Sequence, residues 1–307
     1  MSEERIAYHN GDYLPESQVR VPFRDRGFIM GDAVFDTART FRGRPFKLRE
    51  HVDRLYDSLR YLRIDPRLDK TEMLAITEKV IAANLPLLGP SEDYWVTQRV
   101  SRGGLVRGGD DQSEDDRPTV IVECQPLPLR KRARLFIDGI RVVVPTIRRT
   151  PPASVSPRAK TQNYLNLVLA DLEAREHDPA AWAVLLDAAG NLTEGLGSNI
   201  FLIRDGRLLT PRGQMVLPGV TRSTVMDLAR EIGMAVEETD LDLYDVSTAA
   251  EAFLTSTSLC ICPVASLNGQ KIGDGSVPGP QTQRLIEAFS QLVQFDYVAQ
   301  YRSHLAA

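Results

Sequence analysis

Lys160-Thr161-Gln162-Asn163-Tyr164, followed by Thr193-Glu194-Gly195-Leu196-Gly197-Ser198-Asn199, is the part of this chain from which the rest can be read. It supplies an amine able to form an imine, a nearby phenol and a carboxylate on a later turn. One lysine and one glutamate carry little weight alone, because such residues are usually solvated surface. Two further runs add to them. Leu217-Pro218-Gly219-Val220-Thr221-Arg222 opens a helix at a glycine, where free backbone N–H groups and the helix dipole favour an anion. Thr255-Ser256-Thr257 adds a second turn of hydroxyls.

Bulk composition bounds the function classes. The chain has 307 residues, enough for a large core and, by size, for two domains. Apolar residues make up 43% and charged residues 25%, an ordinary globular balance. A net charge of -4 offers no electrostatic case for nucleic acid or an anionic membrane. The short basic run Arg130-Lys131-Arg132 reads as a solvated linker. The N-terminus MSEERIAYHN has no apolar targeting core, and no apolar run approaches membrane-spanning length. Cys124, Cys260 and Cys262 are an odd set, which argues against a disulfide framework and for a reducing cytoplasm. Cys260-Ile261-Cys262 alternates inside an apolar stretch, so a strand is expected there and no metal site.

Periodicity divides the chain into two α/β halves. Ile6 to Leu14 reads as a hairpin around Asn10-Gly11-Asp12. Ala33 to Phe41 alternates poorly but is rich in strand formers, with a natural turn at Arg42-Gly43. Leu48, Val52, Leu55, Leu59 and Leu62 recur at helical spacing, which predicts an amphipathic helix over 47–62. A second helix is expected over 71–84, stopped by Pro86. Tyr94 to Ser101 and Thr119 to Cys124 look like paired strands, with a glycine-rich acidic loop between them. Gln125-Pro126-Leu127-Pro128-Leu129 interrupts the strand pattern. The expected division is a small N-terminal α/β domain over 1–124, a linker over 125–132 and a larger C-terminal α/β domain over 133–307. That second domain is expected to hold a helix from about Asn163 to Glu176, a strand from Trp182 to Asp187, a hairpin turning at Asp205-Gly206 and a helix from Thr221 to Ile232.

In order and spacing, the Lys160, Glu194, Leu217–Arg222 and Thr255–Thr257 runs resemble those of the class IV aminotransferases, the fold-type IV enzymes of pyridoxal 5'-phosphate (PLP). The likeness extends from about Arg24 to about Pro280. It implies a two-domain α/β fold with PLP in the interdomain cleft, and a homodimer. By resemblance, Lys160 is the lysine that forms the Schiff base, and Asn163-Tyr164 with a trailing Ala170 repeat the pattern that follows it. Its amine must lose a proton to act, so partial burial is expected. Tyr164 would bond the phenolic oxygen of the cofactor and Glu194 would face the pyridine nitrogen. Leu217 would lie against the ring. Gly219, Val220, Thr221, Ser256, Thr257 and Arg54, the last within His51-Val52-Asp53-Arg54-Leu55, would hold the phosphate.

Substrate residues are less distinctive. Phe35, Thr37 and Arg39 lie on the strand that lines the substrate pocket in this family, and Thr37 stands where branched-chain enzymes carry glycine. Thr255-Ser256-Thr257-Ser258 looks more like D-amino acid transaminases, which brings Ser258 into the substrate set. Arg148 to Ser154, with Val106-Arg107-Gly108, resembles (R)-selective amine transaminases. Arg107 and Arg39 are the two candidates to anchor a substrate carboxylate. The reading leans to ping-pong transfer from a D-amino acid or (R)-primary amine to a 2-oxo acid. A branched-chain L-amino acid donor is the alternative. Thr37-Ala38-Arg39 also resembles aminodeoxychorismate lyase, a further alternative.

Overall fold

The structure is a computed structural model and describes residues 4–104 and 117–305. The chain forms two compact units, one of Met1–Leu127 with Ala159–Asn163, the other of Pro128–Arg158 with Tyr164–Ala307.

The first unit is a mixed α/β layer. Its strands are β1 (Ile6–His9), β2 (Asp12–Pro15), β3 (Ala33–Phe41), β4 (Arg44–Pro45), β5 (Tyr94–Ser101) and β6 (Thr119–Pro126). They form one antiparallel sheet in the order β2-β1-β6-β5-β3-β4. Asn10 and Gly11 both take positive φ, 49° and 109°, which lets the β1–β2 turn match the strand twist. Its helices are α1 (Arg26–Met30), α2 (Leu48–Leu62) and α3 (Lys70–Asn84). α3 starts at a reciprocal cap between Asp69 and Glu72. Leu48, Val52, Leu55 and Leu59 of α2 are buried against Val34, Ala38, Val96, Val100 and Val122 of the sheet. The same buried face of α2 carries His51, Arg54 and Ser58. Polar groups so placed need partners, and the site described below supplies them. Asp36, Arg39 and Thr40 are likewise buried, which explains the weak alternation of β3.

The second unit comprises α4 (Leu129–Arg132), α5 (Leu135–Asp138), β7 (Ile140–Val143), α6 (Leu165–His177), β8 (Trp182–Leu186), β9 (Leu192–Gly195), β10 (Ser198–Arg204), β11 (Arg207–Pro211), α7 (Val220–Glu231), β12 (Val236–Thr239), α8 (Leu243–Thr248), β13 (Glu251–Ser256), β14 (Cys260–Leu267), β15 (Gln270–Lys271), α9 (Pro280–Leu292) and α10 (Tyr297–Ser303). The sheet order is β12-β11-β10-β13-β14-β7-β8-β9, and β9 pairs back onto β10. That last pairing closes β10, β13, β14, β7, β8 and β9 into a ring, leaving β11, β12 and β15 outside it. Cys260-Ile261-Cys262 opens β14, and all three cysteines are buried and free. No described helix is long and apolar enough to cross a membrane.

Several boundaries differ from those read in the sequence. Gln125 and Pro126 still belong to β6, and Leu129–Arg132 is a helical turn, so of the proline-rich stretch Leu127 and Pro128 alone lie outside a regular element. Arg132 turns inward to the Ser258 hydroxyl instead of lying in solvent. Helix α6 begins at Leu165, with Tyr164 as its cap, so Lys160 and Tyr164 do not share a helix face. Most of the glycine-rich acidic segment, including Arg107, lies outside the described residues.

Candidate active site

Lys160 is carried on a short extended segment that adds to the edge of β3. Phe35 N donates to Lys160 O at 3.0 Å, Gln162 N donates to Ala33 O at 2.9 Å, and Thr161 bridges Val34. From the helix side, Ser58 Oγ accepts from Lys160 N at 3.0 Å and donates to Arg54 O at 2.9 Å. The lysine is thus fixed through its backbone by two elements distant in sequence. Its side chain is only 9% exposed, and Nζ lies 4.5 Å from the Phe35 ring centroid.

Beneath it sits a buried polar cluster. Arg54 donates to both oxygens of Asp36, Nε to Oδ2 and Nη2 to Oδ1, each at 2.8 Å. His51 Nδ1 is 2.7 Å from Asp36 Oδ1. Burial pushes the Asp36 carboxyl up, but Arg54 and His51 outweigh it and hold the group well below the usual carboxylate range. For His51 burial is the larger effect and lowers the imidazole, against the pull of Asp36. A neutral ring beside an ionised carboxylate must donate from Nδ1, because the carboxylate can only accept. The cluster fixes the plane of the Arg54 guanidinium.

Among the proposed substrate residues, Thr37 Oγ1 lies 3.1 Å from Thr97 Oγ1, and Phe35 shares its sheet face. Arg39 has to be withdrawn as a carboxylate anchor. It is 1% exposed, its Nη2 lies 3.8 Å from Asp93 Oδ2, and its guanidinium stacks 4.0 Å from the Phe41 centroid. Such a cation is committed to the core. Ser258 is buried, and its hydroxyl accepts from Arg132.

In the second unit the motif residues align across neighbouring strands. Asn199 of β10 lies opposite Glu194 of β9 on one side and Thr255 of β13 on the other. Glu194 is buried; Arg149 Nε donates to its Oε1 at 3.0 Å, and Arg149 Nη2 lies 3.0 Å from the same oxygen. Its Oε2 accepts from Leu217 N at 3.0 Å. Asn199 Nδ2 donates to Leu217 O at 3.1 Å, so Leu217 is held from both of its backbone groups. Gly195 permits the β8–β9 approach, since a Cβ there would sit 2.4 Å from Ala183 O. Gly219 caps α7 without a side-chain hydrogen bond, and a Cβ there would meet Asn199 Oδ1 at 2.3 Å. Val220 and Thr221 are buried in the first turn of α7. Ser256 Oγ accepts from Leu259 N at 3.1 Å, Thr257 is half-buried in the same turn, and Tyr164 packs half-buried against Leu167 and Ala170.

The family described as amino-transferase class IV matches residues 33–267. The chain is a class IV aminotransferase. A Methanocaldococcus jannaschii protein with the provisional name branched-chain-amino-acid aminotransferase is 37% identical over 286 residues, covering 93% of this chain and 95% of that one. The D-alanine aminotransferase of Listeria monocytogenes is 29% identical, covering 91% and 93%. The crystal structure of the Escherichia coli branched-chain amino acid aminotransferase superposes with a TM-score of 0.84 at 29% identity, covering 94% and 95%. The fold is accordingly that of the class IV aminotransferases.

Class IV aminotransferases work with PLP, and PLP is the cofactor of this aminotransferase. The residues present fit such a group. The start of α7 has no side-chain cap, and the buried Ser198 Oγ and Thr255 Oγ1 have no hydrogen-bond partner among the described residues. An acceptor-rich ligand would satisfy donors of this kind. Two participants escaped the sequence reading. Arg149 stands in the loop over 148–154, which the sequence tied only to the (R)-selective amine transaminases, and Asp36 reads as an ordinary strand residue. Nothing local in the sequence ties either one to its partner.

Proposed function

We propose that this aminotransferase moves the amino group of a branched-chain L-amino acid to a 2-oxo acid. The observation that carries the donor class is the M. jannaschii relative, whose similarity runs nearly the full length of both chains. The E. coli structure supports the same reading. Thr37 departs from the branched-chain pattern, and the Thr255–Ser258 run with the Listeria relative favours a second reading, a D-amino acid donor. A half-reaction panel decides between them. D- and L-alanine, L-leucine, D-glutamate and (R)-1-phenylethylamine are each followed by loss of the visible absorbance of the bound cofactor. L-leucine is expected to react fastest. Faster reaction of D-alanine or D-glutamate would transfer the enzyme to the D-amino acid reading, and of the aryl amine to the (R)-amine class.

PLP, when bound, withdraws electrons from the amino-bearing carbon and makes its C–H bond acidic. Lys160 Nζ takes that proton and returns it. Its fixed backbone keeps the amine in one place. Glu194 holds a proton at the ring nitrogen, and Arg149 and Leu217 N fix the carboxylate for that task. With PLP bound, Tyr164 would bond its phenolic oxygen and Leu217 would lie against its ring. Arg54, oriented by Asp36, brings positive charge to the phosphate. Gly219, Val220 and Thr221 bring backbone N–H groups to the phosphate, and Ser256 and Thr257 bring hydroxyls. Phe35 and Thr37 contact the substrate.

The homodimer belongs to the same proposal. Leu165, Val168, Leu169 and Leu172 of α6 are all exposed, at spacings that form one stripe of the helix. Phe23, Phe28 and Met30 are exposed in the first unit. Apolar groups grouped in this way mark contact surfaces, and a second copy is the proposed occupant. The buried, free cysteines accord with the cytoplasm as its compartment.

A further inference from the structure

We infer that Arg99, clamped by Glu123, is the cation that receives a substrate carboxylate. The inference rests on the transaminase reading of Lys160. In the first sheet, Phe35, Thr37, Thr97, Arg99 and Glu123 share the face turned away from α2 and α3. Register places Arg99 directly opposite Phe35, and Glu123 opposite Thr97. The Arg99 Cζ lies 5.6 Å from the Phe35 ring centroid, the same ring that Lys160 Nζ approaches at 4.5 Å. One aromatic side chain therefore links this guanidinium to the proposed catalytic amine.

The state of the ion pair suits exchange. Arg99 Nε donates to Glu123 Oε1 at 3.0 Å, and its Nη2 lies 2.9 Å from the same oxygen. Its Nη1 has no hydrogen-bond partner among the described residues. The Arg99 side chain is 38% exposed and that of Glu123 is 20% exposed. A pair so open to solvent is weak, so a substrate carboxylate can displace Glu123 at little cost. Arg39, by contrast, is sealed against Asp93. With an apolar substrate Arg99 returns to Glu123, and the site presents a neutral pair. This arrangement lets one pocket accept an apolar side chain in one half-reaction and a charged one in the other.

The test uses the PLP-loaded enzyme and the variants Arg99→Gln, Arg99→Lys and Glu123→Gln, each first checked for wild-type cofactor absorbance and melting temperature. KM is measured for 2-oxoglutarate, for 4-methyl-2-oxopentanoate and for a carboxylate-free amine. Glutarate, which cannot react, is titrated calorimetrically. Arg99→Gln is expected to raise the ratio of acid KM to amine KM about ten- to a hundredfold, as for the loss of a charge-assisted pair, with Arg99→Lys in between. A rise for 2-oxoglutarate alone, with weakened glutarate binding, assigns the distal carboxylate. A rise for both acids assigns the carboxylate beside the carbonyl. Glu123→Gln is expected to tighten the affected acid by freeing Arg99. An unchanged ratio in Arg99→Gln, or Arg99→Lys no better than Arg99→Gln, overturns the inference while wild-type turnover leaves the transaminase reading intact. No turnover of any pair by the wild type would instead remove that reading.

Discussion

At the scale of single residues, the assignment turns on groups whose partners are already in place. Lys160→Ala is expected to abolish turnover and the visible absorbance of bound cofactor, because no other amine replaces Nζ. Borohydride reduction of the wild type, followed by peptide mapping, should place the pyridoxyl group on Lys160; a different lysine would refute the role. Glu194→Gln should retain the cofactor but lose about a hundredfold or more in turnover, because an amide cannot hold the ring proton. Arg149 makes the next test. Its Nε donates to Glu194 Oε1 and its Nη2 lies against the same oxygen, so its loss takes a counter-ion from a buried carboxylate. Arg149→Met should lower turnover by about tenfold or more and shift the acidic limb of the kcat profile, as expected when a pyridinium partner loses its counter-ion. Partial rescue by Arg149→Lys is expected. Wild-type kinetics in Arg149→Met would reduce the arginine to packing.

At the scale of elements, α2 and β3 act as one device. The helix needs its apolar stripe to pack on the sheet, yet the same stripe carries His51, Arg54 and Ser58. Asp36 satisfies two of them and Ser58 holds the Lys160 backbone. Removing Asp36 leaves a buried guanidinium without its carboxylate, a loss of about 3–5 kcal/mol. Asp36→Asn should therefore lower the melting temperature and weaken PLP binding together. The pH dependence has a definite sign. His51 and Asp36 are both held below their ordinary values of 6.5 and 3.8, so on acidification the unfolded chain binds protons first. Stability present at neutral pH should fall as pH drops below about 6.5 and fall further below about 3.8. Urea midpoints between pH 8 and pH 4 check this, and His51→Gln should flatten the part below 6.5. A wild-type midpoint constant across that range would contradict the direction of the His51 shift. The α7 start offers a separate test. Gly219→Ala would drive a methyl onto Asn199 Oδ1, and PLP affinity should fall by about tenfold or more in a cofactor titration.

At the scale of the whole molecule, the exposed stripe on α6 is the feature that a monomer does not account for. Leu169→Glu with Leu172→Glu should convert a dimer into a monomer in light scattering and leave the far-ultraviolet spectrum unchanged. A monomeric wild type would remove the proposed interface.

Much of this protein was legible before any coordinates. The helix read over 47–62, the paired strands read over Tyr94 to Ser101 and Thr119 to Cys124, and the hairpin turning at Asp205-Gly206 all follow from periodicity and turn chemistry, which act over a few residues, and each is present within a residue or two of those bounds. The Lys160, Glu194 and Gly219 runs disclosed the family for the same reason: each is a local arrangement whose chemistry leaves its mark on adjacent positions. The partners of those residues were decided only in three dimensions. Arg39 looked like a substrate anchor until Asp93 and Phe41 enclosed it. Glu194 found Arg149, Lys160 became an extra strand beside β3, and β9 closed the second sheet onto β10. Each of these pairings joins segments far apart in the chain. Hydrophobic period and turn residues specify what an element is and which face it buries, but they do not name the distant element that will meet it, and that meeting sets which charges are spent in the core and which remain for a substrate.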